Sequence, residues 1–290
     1  MVQDYIIVTD ATCDLPEHVV KDLNIVVLPM EFIMDNKIYN HYHDAREMNF
    51  DIFYNNLKMG NKATTTQINY NTYKSVFSSI LSEGKDILYI SFSSGLSGTY
   101  NGSRLVINEL IDEFPHNKIY SVDSLSASIG EGLLVYLAAL MRQDGLSIDE
   151  LKHWVENKRF EICHWFAVDD LEHLKSGGRI NGVQASIGSM LNLKPILSVD
   201  KEGKLVTITK MRGKKKSHNY LAQRLKEDGE SLGNQTIIIG HAACEEDAII
   251  LKELILQENL AKDIIISNIG PIIGTHTGIG MIAVTFIGRR

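Results

Sequence analysis

Four short segments gather hydroxyl groups, glycine and carboxylates: Asp10-Ala-Thr-Cys-Asp14, Thr64-Thr-Thr-Gln67, Ser93-Ser-Gly-Leu-Ser-Gly-Thr99 and Asp123-Ser-Leu-Ser-Ala-Ser128. Three of them directly follow apolar, β-branched runs, and the fourth comes just before a segment with helical spacing. Small hydroxyl residues and glycine at a helix start leave backbone N–H groups free and add hydroxyl donors. Such a combination receives an anion of modest charge, a carboxylate or a phosphate. Each segment taken singly is also an ordinary helix cap. Four in succession argue for a shared site.

Other candidates stand outside these segments. Gly270-Pro-Ile-Ile-Gly-Thr-His-Thr-Gly-Ile-Gly280 sets His276 among glycines that permit close backbone approach, and reads as a loop shaped for something. Lys210-x-Arg212-Gly-Lys-Lys-Lys216 is a short basic cluster suited to a phosphate or an acidic partner. Gly177-Gly178-Arg179 follows the amphipathic run Leu171–Leu174; glycine there is either a plain helix stop or, on the sharper reading, the setting for an exposed Arg179 offered to a partner. His41-x-His43 with Asp44 offers two metal ligands but no third nearby, and no metal is expected. Cys163 and His164 lie in an apolar strand and read as core or surface residues, not as a catalytic pair. No G-x-S-x-G elbow, Walker loop or G-x-G-x-x-G follows a strand, and no cofactor is expected.

The elements that must position these residues alternate. Strands are expected at Tyr5–Thr9, Ile25–Leu28 (continuing through Phe32–Met34), Ile87–Phe92 and Ile119–Val122. Between them, apolar residues at spacings of three and four mark helices over Tyr73–Leu81 and Tyr100–Phe114, and Gly132–Met141 is apolar all round, as for a helix buried between layers. A second set follows a helix within Gln143–Lys158. It has strands at Ile162–Val168, Pro195–Val199, Leu205–Lys210, Thr236–Ile239, Ile264–Ser267 and Met281–Ile287, with a helix over Asp247–Leu256. The pattern predicts two α/β domains, 1–158 and 159–290.

Length agrees, since 290 residues fit two ordinary domains. The net charge of −7 disfavours broad binding to nucleic acid through its phosphates. Three widely spaced cysteines argue for a reducing compartment, and the N-terminus lacks the pattern of a signal peptide. Leu133–Met141 is the longest unbroken apolar stretch, about half of what spans a bilayer, so no transmembrane segment is expected. The expected location is the cytoplasm.

Seven strings in order resemble the DegV family, bacterial fatty-acid-binding proteins that act as acyl carriers for a fatty acid kinase. They are Val8–Pro16, Thr64–Gln67, Ser93–Tyr100, Val122–Ser128, Leu171–Ile180, Leu193–Ile196 and Gly274–Gly278, and the match runs over essentially the whole chain. The resemblance implies an N-terminal α/β domain with a parallel sheet and flanking helices, a C-terminal α/β domain with a mixed sheet, and one long-chain fatty acid buried between them. It places the carboxylate at Thr65 and Ser97, with Ser94 as the rival serine. It puts His276 and Arg212 at the exposed edge of the head-group site, where they would support phosphoryl transfer, and Arg179 on a surface used by the kinase. Catalysis would then belong to the kinase, this chain being no enzyme, and peripheral exchange of the acid with a membrane is compatible with that role. Thr66 stands where the family usually has Ser, and Ile68 and Ile279 where Pro is common, which touches loop stiffness more than ligand class.

The residues alone leave two alternatives open. One is a hydrolase or transferase using Ser97 or Ser94 with His276, oriented by Asp10 or Asp123. The other is a sugar- or keto-phosphate binder built on the same anion-friendly loops.

Overall fold

Apolar runs rich in Ile and Val become strands wherever both faces can be covered, and the computed structural model, which describes residues 4–180 and 192–290, arranges them in three sheets. Numbered along the chain, β1 is Tyr5–Asp10, β2 Ile25–Leu28, β3 Met30–Met34, β4 Lys37–His41, β5 Ala63–Thr65, β6 Asp86–Ser91 and β7 Ile119–Asp123. The second half contributes β8 Ile162–Ala167, β9 Leu193–Val199, β10 Leu205–Arg212, β11 Thr236–His241, β12 Asp263–Asn268 and β13 Ile282–Ile287.

The first sheet has the order β2-β1-β6-β7 and is parallel throughout. Every residue of β1 and β6 is buried, as expected of central strands covered on both faces. The third sheet, β10-β9-β8-β13-β11-β12, is mixed: only β11 and β12 run parallel. Every strand up to Asp123 belongs to the first half's sheets and every strand from Ile162 to the six-stranded sheet.

Between the two large sheets lies helix Ile129–Gln143, which touches β1 and β6 on one side and β8, β11 and β13 on the other. Its all-round apolar sequence, with Leu133, Leu134, Val135, Ala138 and Ala139 fully buried, follows from that position. The next helix, Ile148–Lys158, is amphipathic and opens on a capping box: the Ser147 hydroxyl takes the Glu150 N–H while the Glu150 carboxylate takes the Ser147 N–H.

Beyond the helices Glu17–Asp22 and Lys214–Asp228, which the sequence does not mark, three further features depart from the sequence expectations. A small antiparallel sheet, β4-β3-β5, stands beside the parallel one, with Phe32 opposite Thr65 and Ile33 opposite Thr64. Helix Phe50–Lys58, capped by Asn49, precedes β5. The glycine-rich segment around His276 is not a loop: Pro271–Thr277 is a short helix with Pro at its first position, where the missing N–H costs nothing. Among the described residues, no helix is long and apolar enough to cross a membrane.

Candidate functional site

The loops leaving β1, β6 and β7 meet, and much of their polarity is spent on one another. Asp10 accepts from the N–H groups of Thr12 and Phe92 (both 3.1 Å) and from the Tyr89 hydroxyl (2.9 Å). The Thr12 hydroxyl lies within reach of both Asp10 and Glu131, and the Thr9 hydroxyl donates to the other oxygen of Glu131 (3.0 Å). One hydroxyl proton cannot serve two carboxylates. Burial, followed by the nearby Asp10 charge, drives Glu131 well above the usual carboxylate range. Glu131 therefore keeps its proton and gives it to Thr12, which donates to Asp10. Asp10 is the ionised member; burial raises it, and its donors draw it back.

Asp14 extends this layer to the C-terminal half. Its Oδ2 accepts from the Ser128 hydroxyl (2.6 Å), its Oδ1 from the Gly270 N–H (2.8 Å), and its carbonyl from the Ser267 hydroxyl. Burial pushes its carboxyl up to about 7 despite those donors. The Tyr54 hydroxyl donates to the Ile269 carbonyl (2.7 Å). Helix Pro271–Thr277 is thus anchored to the N-terminal half, and Gly270 and Gly274 make this close approach feasible. A Cβ at Gly274 would lie 2.6 Å from the Tyr54 oxygen, and one at Gly270 2.1 Å from the His41 ring.

That anchoring carries His276 to Thr65. The Thr65 hydroxyl and His276 Nε2 are 2.8 Å apart, joining the edge of the small sheet to the C-terminal half. Gly177 leaves room for the imidazole, since a Cβ there would stand 2.1 Å from Nδ1. Arg179 closes the other side, its Nε donating to the Leu96 carbonyl (3.2 Å) and a terminal nitrogen to the Gly177 carbonyl. Burial, with the charges of Arg179 and His173 adding to it, holds His276 down to about 4, so the ring is neutral near pH 7. Burial also lowers Arg179 from its ordinary value, yet a guanidinium keeps its charge.

These residues form the mouth of a chamber between the two halves. The space between its walls and at its opening is about 770 Å³, of which about 70 Å³ admits the centre of a water-sized sphere, so the chamber is narrow. Phe92, Leu96, Ile129, Phe166, Leu205 and Ile273 are among the side chains along it. Among the described residues lining it there is no carboxylate, and Arg179 is the one formal charge. Thr65, Arg179 and His276 also border a surface groove with Lys62, Glu172 and His173. The chamber mouth therefore opens onto the exterior at its polar end.

A family model described as "Uncharacterised protein, DegV family" matches residues 5–289. A DegV domain-containing protein of Clostridium perfringens is 44% identical over 284 residues, covering 98% of this chain and 97% of the relative. The chain belongs to the DegV family. Its fold is that of solved DegV proteins: one from Thermus thermophilus, described by its fatty acid binding, superposes with a TM-score of 0.89 at 27% identity, covering 98% of this chain and 99% of that one. DegV of Bacillus subtilis, described as a fatty acid binding protein, gives 0.82 at 26% identity, with 99% of each chain covered.

In this DegV protein the residues expected to share a site do so only in part. Thr65, Ser97, His276 and Arg179 come together at the mouth. Ser94 is exposed and is not on the chamber wall; its N–H caps Asp123 instead (3.1 Å). Arg212 ends β10, is exposed and does not line the chamber either. Arg179, expected on an open docking surface, is half-buried at the mouth because its guanidinium is drawn in by the Leu96 and Gly177 carbonyls. Gln67 was overlooked although its string had been singled out; it lines the chamber and packs over Gly98, where a Cβ would sit 2.0 Å from its side-chain oxygen. His41 packs on Gly270, and among the described residues no three His, Cys, Asp or Glu gather as a metal site would require.

Proposed function

We propose that this DegV protein holds a single long-chain fatty acid in the chamber, with its carboxylate at the mouth, and presents that carboxylate to a partner kinase for acyl-phosphate formation. One observation carries the reading: an apolar chamber whose polar end has hydroxyls, an amide, an imidazole and a guanidinium, but no carboxylate among its described lining. The missing acceptor is what a fatty acid brings. Thr65 and Ser97 supply hydroxyl donors, and Arg179 supplies the countercharge. His276 Nε2 can donate to the Thr65 hydroxyl and so leave the Thr65 proton for the carboxylate, since Nδ1 packs against Gly177. The tail adds ~0.8 kcal/mol for each methylene buried. The fatty acid binding described for the Thermus and Bacillus relatives supports the same ligand class.

The groove bordered by Lys62, His173 and Arg179 gives a phosphoryl donor a route to the carboxylate. The kinase supplies the nucleotide and its metal, and this chain performs no turnover alone. Its role places it in the cytoplasm, with peripheral exchange of the acid at a membrane.

The two alternatives fit the geometry less well. A nucleophilic serine needs a base, but the Ser97 hydroxyl pairs with Thr99 (2.8 Å) while His276 pairs with Thr65. A sugar phosphate would leave the apolar interior of the chamber unused. Extraction of protein purified from cells, followed by mass spectrometry, should yield about one fatty acid per chain. No extractable acid, together with no thermal shift on adding palmitate or oleate, would overturn the proposal.

A further inference from the structure

The chamber offers donors and no carboxylate. On the other side of the Asp14–Ser128 hydrogen bond the chain does the reverse. A polar pocket lies there, between the loop after β1, the end of β4, the start of helix Phe50–Lys58 and the end of β12. It shares no lining residue with the chamber. The space between its walls and at its opening is about 820 Å³, of which about 310 Å³ admits the centre of a water-sized sphere. It is much the roomier of the two. Asp14, Glu17 and Asp44 bring three carboxylates to it, and His41 and His43 two imidazoles, while no Lys or Arg is among its described lining.

Acidic side chains alone do not make a site, and two of these have partners at the rim. Glu17 pairs with Lys21, and Asp44 with Arg46 (2.8 Å). Such pairs near solvent contribute little. Inside, the acceptors are unanswered. His41 is 4% exposed, and its Nδ1 is sealed with no hydrogen-bond partner among the described residues. Its Nε2 stands beside Asp14: a Cβ imagined on Gly270 would lie 2.5 Å from Nε2 and 2.9 Å from Asp14 Oδ1. Asp14 takes its hydrogen bonds from Ser128 and Gly270, both neutral, so this buried carboxyl has no countercharge, and its oxygens can accept more. With the ring proton on Nδ1, Nε2 accepts as well. Burial, with the His43 charge adding to it, holds His41 down to about 3, so the imidazole does not supply the missing positive charge.

We propose that this pocket binds a primary ammonium group on a short aliphatic stem. Asp14 and the His41 ring take its N–H donors, and Glu17 and Asp44 add negative charge at the rim. An ammonium brings three donors and no acceptor, the complement of this lining. A bare metal ion fits less well, because among the described residues no three His, Cys, Asp or Glu converge as a metal requires. Leu15, Pro16 and Phe50 give the stem an apolar wall. The bound group lies close to the chamber, reached through Asp14 and Ser128, without entering it. The site stands whether or not the chamber holds a fatty acid.

The test uses full-length protein at mildly alkaline pH, where Asp14 is ionised. The probe is n-butylamine. Its controls are 1-butanol, a stem without charge, and tetramethylammonium, a charge without N–H. Butylammonium should bind saturably, with a dissociation constant below about 10 mM, and should shift the ring resonances of His41 and His43. Both controls should bind at least about tenfold more weakly. Asp14→Asn should weaken butylammonium about tenfold or more. Asp14 also serves the junction between the halves, so the double variant Glu17→Gln with Asp44→Asn, at the rim, provides a second reading. It should weaken the amine about threefold or more. Absence of saturable binding in the wild type overturns the site, as does either control binding as well as butylammonium. Unchanged affinity in the double variant overturns it too, since the amine would then sit elsewhere.

Discussion

Two polar clusters built from the same residue types lie on either side of Ser128, and they are used in opposite ways. In the inner layer, Thr9, Thr12, Tyr89 and Ser128 face Asp10, Asp14 and Glu131, so the hydroxyl donors find acceptors that the chain itself supplies. At the mouth, Thr65, Ser97, Gln67 and Arg179 face a space with no carboxylate among its described lining. Hydroxyl-rich loops are therefore not sites because of their composition. They become a site where the fold withholds the acceptor.

The largest expected effect tests the inner layer. Asp10→Ala leaves two N–H groups and two hydroxyls without their acceptor in a dry interior. The loss should be about 3–5 kcal/mol of folding stability, read as a lower urea midpoint. A loss below about 1 kcal/mol would show that this layer does not fasten the loops after β1 and β6 to one another in the way described.

The mouth should respond differently. Thr65→Val and Ser97→Ala should barely change the stability of delipidated protein, because their hydroxyls pair with His276 and Thr99 near the surface and not with a buried charge. Each should weaken fatty acid binding by ~1.5–3 kcal/mol, the range for a lost hydrogen bond to a charged group. Unchanged ligand retention in both single variants and in the double variant would reject the assignment.

Asp14→Asn probes the junction through pH. A carboxyl raised from 3.8 to about 7 binds its proton more tightly in the folded state. Its contribution is fully present below pH 3.8 and is lost as pH rises through about 7. Asparagine cannot titrate, so stability of the variant should fall less, or rise more, across that window, by on the order of 4 kcal/mol between its ends. His276 opposes this in both proteins, since a depressed imidazole costs stability as pH falls from 6.5 toward about 4. Parallel pH profiles of the two proteins would show that Asp14 is not the titrating group.

The smallest effect belongs to Arg212. It is exposed at the end of β10 and does not line the chamber, so Arg212→Ala should retain fatty acid at the wild-type level in extraction assays. A marked loss would place the head group elsewhere.

Much of this was legible in the sequence, and the exceptions have a common cause. The strands with both faces covered announce themselves through Ile and Val runs, and the helix between the sheets through its apolar surface. Thr65, Ser97 and His276 were legible as candidates because hydroxyl and glycine strings are local patterns. The helix at Pro271–Thr277 was hidden by the glycines that let it pack against Tyr54 and His41, for glycine density reads as loop when the partner is unseen. Strand β4, Lys37-Ile-Tyr-Asn-His41, has little apolar content to mark it. That Arg179 is half-buried was not legible, because what draws it inward, the Leu96 carbonyl, lies 83 residues away.

The anchoring of helix Pro271–Thr277 also bears on how long a molecule lasts. His276 reaches the mouth only while Asp14 and Tyr54 grip the segment leading into that helix, so cargo can be held only by a chain whose halves are joined. By mass action, anything that binds the joined state alone makes separation rarer, by RT ln(1 + [L]/Kd). Loaded molecules would then resist proteases that attack separated halves, while empty ones would be cut and cleared first. On the fatty-acid reading proposed above, the amount of this protein in a cell would follow the supply of its ligand, without any sensor beyond the protein itself.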